Sequence, residues 1–188
     1  MKMTLRIPQA RLAALLLCLA PASASHRAAP AAEIQVEGSE RFKTQVIRAL
    51  ELLKRDAPEA FAIVENCVAR IEQGEHSGMW AYRIPPTYEM TETTACYSVT
   101  WCASAIAHDS MHAKLYRDRQ KGHPGLVPDH VWVGEDAEKL CLRHQTDVLT
   151  KLAAPKHEID YCRNLKGTHH DVNRDGKYDW KDHEGRKW

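Results

Sequence analysis

The sequence predicts an α+β fold that is mainly helical: an N-terminal helix pair, a short hairpin, a central helix packed on a second long helix, and a C-terminal tail. Three observations predict it. Apolar residues recur every three to four positions across 39–56, 58–73, 99–116, 134–152 and 155–167, the period of amphipathic helices. Residues 77–98 instead gather aromatic and β-branched side chains around Pro85 and Pro86, which reads as a hairpin or a pair of irregular extended segments. Gly74, Gly167 and the cluster Gly122, Pro124, Gly125 and Pro128 separate these stretches, as turn residues do.

Taken in order, residues 1–24 carry Lys2, Arg6 and Arg11 with no acid, an apolar run from Leu12 to Ala20, and then Pro21, Ala22, Ser23 and Ala24. A basic start, a short apolar stretch and small residues at the end make a signal peptide cleaved after Ala24. The run falls short of the about 20 residues that span a bilayer. The expectation is a secreted or periplasmic protein with no stable membrane anchor after cleavage. Residues 25–38 lack periodicity and read as a flexible lead-in. The fold then occupies 39–167. Its first helix has Ser39 as N-cap and Phe42, Val46, Ile47, Leu50 and Leu53 at helical spacing, and Pro58 opens a second helix that ends at Gly74. A helix from Val99 to about Tyr116, a loop over 118–130, a long helix from Gly134 to Leu152 and a shorter one from Pro155 complete the domain.

Net charge is +1 over 188 residues, and losing a leader with three cations makes it slightly negative. That balance gives no footing for a nucleic-acid or anionic-membrane partner. Cys18 leaves with the leader, while Cys67, Cys96, Cys102, Cys141 and Cys162 remain. In an oxidising compartment they predict two disulfides and one free thiol, with the pairing open.

The sharpest motif is His108-Asp109-Ser110-Met111-His112. Two histidines four apart lie above one another on one helix face and can bind one metal ion. Trp101, Ala103, Ala105, Ile106 and Ala107 precede them, so the pair enters the interior, whereas an ordinary solvated pair would sit on a polar helix. The motif resembles the HExxH helix of zincin metallopeptidases, with Asp109 in place of the glutamate. The resemblance implies Zn2+ held by His108 and His112, and Asp109 as the general base of a zinc-activated water. Aspartate is one methylene shorter than glutamate, a departure that bears on catalysis more than on metal binding. In the gluzincin branch a glutamate from a following helix is the third ligand; Glu138 fits that role, with Glu135 as the alternative. His144 or Gln145, on the same helix, would orient ligand or substrate, and Tyr82, Tyr88 and His144 are candidate donors to an oxyanion. The substrate implied is a peptide or protein, aligned by strand addition on an edge strand before the helix.

The same residues also resemble the His-Asp doublet of HD-domain phosphohydrolases, which would draw on His76 and Asp147. A reading from another class is a non-catalytic exported module stabilised by its metals. The tail, 168–188, contains Asp171, Asn173, Asp175, Lys177, Asp179 and Asp182, with Gly176 at the sharp turn. This spacing resembles the calcium loop of EF-hands and dockerins, in which Lys177 would offer its carbonyl. Ca2+ there, with Trp180 and Trp188 packing the tail on the body, would stabilise the fold by binding its folded form. Oligomeric state leaves no mark in the sequence.

Overall fold

The computed structural model describes residues 33–123 and 125–165. The leader and the six calcium candidates of the tail lie outside the described residues. The elements run β1 (Gln35–Glu37), α1 (Glu40–Asp56), α2 (Pro58–Cys67), β2 (Arg70–Gln73), β3 (Gly78–Trp80), β4 (Thr87–Met90), α3 (Glu92–Tyr97), α4 (Val99–Gly122), α5 (Asp129–Trp132), α6 (Glu135–Lys151) and α7 (Lys156–Asn164). The protein is thus a mainly helical α+β molecule, as its periodicity predicts. None of the helices among the described residues is long and apolar enough to cross a membrane.

Ser39 caps α1, its hydroxyl accepting from the Phe42 amide at 3.1 Å, one of the orphan donors every helix start must satisfy. Phe42, Val46, Ala49 and Leu53 then form a fully buried stripe, and α2 starts on Pro58, whose missing N–H is harmless at a first turn. The second helix ends at Cys67, earlier than the expected 73, and Arg70–Gln73 is a strand. Parallel pairing explains the correction. β2 lies between β1 and β4, parallel to both, and Ile71 is completely buried there; two ladders and a buried branched side chain outweigh a weak local helix preference. For the same reason the lead-in is not flexible throughout, since Gln35–Glu37 pairs with Arg70–Glu72. Gly74 follows β2, its amide donating to the Met90 carbonyl at 3.0 Å, and a Cβ there would come within 2.1 Å of Glu89 Oε1.

The expected hairpin is present as the end of this sheet, whose order is β1-β2-β4-β3. β3 is antiparallel to β4, with Met79 opposite Tyr88, so the sheet is parallel except at this edge. Its buried side chains, Ile71, Met79, Tyr88 and Met90, join α1, α2 and α4 in one core.

Through that core runs α4, capped by Ser98 at Trp101 N, 2.8 Å. From Trp101 to His108 every residue is buried, the all-round burial of a central helix. It extends past Tyr116 to Gly122, where Lys114 and Lys121 both pair with Asp118 across single turns. The expected loop 118–130 therefore shrinks, and α5 adds a further turn at its end. α6 packs along α4, and α7 is tied to the start of α4 by buried Glu158, which accepts from Ser98 Oγ and Thr100 Oγ1, each at 2.7 Å.

Cys67, Cys96, Cys102, Cys141 and Cys162 are all free thiols, so the expected two disulfides are replaced by unpaired cysteines. They are spread over α2, α3, α4, α6 and α7 and mostly buried, where cysteine packs as a small apolar side chain. Burial pushes the Cys102 and Cys162 thiols up to about 12.

Candidate metal centre

The facing sides of α4 and α6 bring His108, His112 and Glu138 together, with one ligand atom from each within 4.8 Å of the others. His108 and His112 are one turn apart on α4, and Glu138 enters from the first turn of α6. The imidazole Nε2 atoms stand 3.1 Å apart. Glu138 Oε1 is 3.2 Å from His112 Nε2, and its Oε2 is 3.5 Å from His108 Nε2. A tetrahedral ion with bonds of about 2.0–2.1 Å separates its ligand atoms by about 3.3 Å. The Nε2–Nε2 spacing is close to that value, and each imidazole has one of the two Glu138 oxygens at a similar distance. Two ring nitrogens and a carboxylate converging on one point need either a proton or a cation among them.

Burial sharpens that demand. His108 is 6%, His112 3% and Glu138 9% exposed, and a charge shielded from water needs a partner. Burial opposes a charge on His112, but its contacts with Cys141 and Glu138 outweigh it and hold the imidazole well above its ordinary pKa. For Glu138, burial acts upward, yet the two imidazoles hold the carboxyl well below the usual carboxylate range. In a metal-free molecule a proton thus takes the place that a cation would fill.

His112 is fixed from behind. Its Nδ1 lies 2.5 Å from the Trp132 carbonyl oxygen; a proton on Nδ1 donated to that carbonyl leaves the Nε2 lone pair directed at the centre. Such a carbonyl carries no side-chain signature, which is why sequence reasoning misses it. Gly134, the N-cap of α6, makes the juncture possible: a Cβ there would sit 2.6 Å from the His130 carbonyl oxygen. The tight passage from α5 to α6 thereby sets both the carbonyl behind His112 and the entry of Glu138.

Glu135, the alternative ligand, points away and pairs with Lys139 at 2.6 Å. Asp109 lies beside the ligand set; burial raises its pKa, while the charges of His108 and His112 lower it. The Tyr88 hydroxyl engages Asp109 and is almost wholly buried. Tyr88 is therefore a partner of the candidate base rather than an open oxyanion donor. His144 is half-buried on α6, near enough to His108 to feel its charge, and burial lowers its pKa. Its Nε2 is shielded from water and has no hydrogen-bond partner among the described residues. Gln145 turns to Ser104, donating to its Oγ at 3.2 Å, instead of to the ligands. Tyr82 is half exposed at the β3–β4 connection. His76 and Asp147, required by the phosphohydrolase reading, are both exposed and outside the ligand group.

The arrangement can hold a metal ion. Two imidazoles and a carboxylate suit zinc and its transition-metal neighbours better than calcium or magnesium, which prefer oxygen alone. No protein-family model matches the chain, and neither does any curated protein or solved structure.

Proposed function

We propose that this chain is an exported zinc-dependent hydrolase, a small metallopeptidase, with His108, His112 and Glu138 as ligands and Asp109 as general base. The observation that carries the reading is the convergence of two imidazoles and one carboxylate, with contacts at 3.1, 3.2 and 3.5 Å and one ligand atom from each within 4.8 Å of the others, a donor set that can supply three protein ligands to one ion. Hydrolytic zinc sites have three such ligands and an open fourth position, where zinc polarises a carbonyl and makes water acidic. Asp109 would accept the proton from the attacking water, its raised pKa bringing it closer to the range where a base works well. Tyr88 orients Asp109. His144, whose charged form burial disfavours, would donate its N–H to the developing oxyanion, and Asp109 would pass the proton taken from water on to the leaving amine. β3, an antiparallel edge strand packed against α4, suits an extended peptide as an added strand.

The same reading retains export through residues 1–24 and calcium at Asp171, Asn173, Asp175, Lys177, Asp179 and Asp182. The low exposure of the ligands favours a second reading, a non-catalytic module in which the metal is purely structural. One experiment separates them. The mature protein should contain one zinc, the His108→Ala, His112→Ala double variant none, and Asp109→Asn one. Asp109→Asn should lower peptide hydrolysis by about 10²–10⁴-fold. Undetectable hydrolysis by the zinc-loaded wild type, with zinc removal changing only the melting temperature, decides for the structural module.

A further inference from the structure

We propose that the cavity between the end of α2, the last turns of α4 and the β3–β4 connection is a binding site for a small organic carboxylate, held by Arg117 and Tyr116. The space measures about 300 Å³ and is walled by side chains from all three elements, the lower end of the range that small ligands occupy. Its apolar wall is Ala81, Pro86 and Ala113, and its polar edge is Tyr116, Arg117 and Gln120. His108, His112 and Glu138 do not line it, so the inference does not depend on the hydrolase reading.

Arg117 is the cation of the site, and the fold holds it in place. Its Nη1 donates to the carbonyl of Asn66, in the last turn of α2, where carbonyls lack a helical partner. The guanidinium also engages the Cys67 thiol. A guanidinium carries five N–H donors in a rigid fork, so these two contacts leave donors over. Arg117 has no carboxylate partner among the described residues, because Asp118, the one acid within residues 114–121, is taken by Lys114 and Lys121. With Arg119 those cations outnumber the acid four to one, and the potential at the cavity favours an anion. A fork already fixed at one side loses little freedom when it closes on a carboxylate.

Tyr116 supplies the second contact. It is 5% exposed, its ring packs on Trp132 at 5.2 Å, and it lines the cavity. Its hydroxyl makes no hydrogen bond among the described residues, which leaves that O–H for a group entering the cavity; an unmatched phenol is costly in a buried side chain. The apolar wall decides the rest. A bare phosphate would leave Ala81, Pro86 and Ala113 uncovered, whereas an acid with a short hydrocarbon body buries them.

The test titrates the full mature chain with 4-methylpentanoate, its neutral amide and inorganic phosphate, following backbone and side-chain amide shifts by nuclear magnetic resonance. The carboxylate should bind saturably and about tenfold more tightly, or better, than the amide and the phosphate. Arg117→Gln should weaken it about tenfold or more, the loss of a charge-assisted hydrogen bond. Tyr116→Phe, which keeps the ring on Trp132, should weaken it about threefold, and it decides the matter if Arg117→Gln does not fold. Binding should be unchanged in the His108→Ala, His112→Ala variant, which separates this cavity from a carboxylate coordinated at the metal centre. Absence of saturable binding, equal affinity for acid and amide, tighter binding of phosphate, unaltered affinity in the Arg117 and Tyr116 variants, or loss of binding in the double histidine variant overturns the inference.

Discussion

The residue that sets the acid side of metal binding is His112. Its imidazole is held well above its ordinary value of 6.5, so an incoming metal must displace a proton from it. Affinity for zinc should fall about tenfold for each pH unit below that raised pKa. Glu138, held below its ordinary 4.5, is ionised throughout the working range and adds no such dependence. Competition titrations with a chromophoric chelator between pH 5 and 8 would measure the slope, and a flat profile would count against metal binding at His112. The metal-free protein behaves oppositely. The raised His112 contributes stability that is full below about pH 6.5 and is lost as pH rises through its folded-state pKa. The depressed Glu138 contributes stability that is present above about pH 4.5 and is lost as pH falls through its folded-state pKa. Chelator-treated protein should therefore be most stable between these limits, and zinc should move the optimum upward, as melting curves across pH would show.

At the scale of elements, the α5–α6 juncture governs the centre. Gly134→Ala puts a Cβ within 2.6 Å of the His130 carbonyl oxygen, and the backbone must shift to admit it. That shift moves the Trp132 carbonyl and the first turn of α6 together. We expect a loss of about 1–3 kcal/mol in stability, the usual cost of overpacking, and a larger proportional fall in zinc affinity than an equally destabilising core change causes. The control is Val46→Ala, a large-to-small change in the buried stripe of α1, away from the ligands. At the other end of α4, Glu158→Ala strands Ser98 Oγ and Thr100 Oγ1 without their acceptor. It should cost about 1–3 kcal/mol in urea denaturation and leave zinc content intact. Much of this architecture is legible in the sequence: the Ser39 cap, Pro58, the apolar run before His108 and the two histidines one turn apart, whereas the choice of Glu138 over Glu135 comes from the gluzincin resemblance. What escapes notice has a physical cause. Strands β1 and β2 are too short to show a period and exist through pairing with each other and with β4. The carbonyl behind His112 belongs to a backbone group that every residue has, and the expected disulfides follow from compartment alone, whereas the thiols fill separate places in the core.

For the whole molecule, a metal held by His108, His112 and Glu138 would act as a staple. Its ligands come from α4, the helix that every layer of the core touches, and from α6, which closes over it. A metal that binds only the folded chain stabilises it by mass action, about 2.7 kcal/mol at a free concentration a hundredfold above Kd. For a domain of this size that corresponds to a rise in melting temperature of about 10 °C. A zinc-selective chelator should reverse the rise in the wild type and leave the His108→Ala, His112→Ala variant unmoved. Calcium at residues 171–182 would act through a different part of the chain, so its effect should survive in that variant. A calcium-selective chelator would then lower the melting temperature of both proteins equally. If both chelators lose their effect in the double variant, the tail holds no independent ion. If the zinc-selective chelator shifts both proteins alike, the ion lies elsewhere and His108, His112 and Glu138 are only a buried proton-sharing cluster.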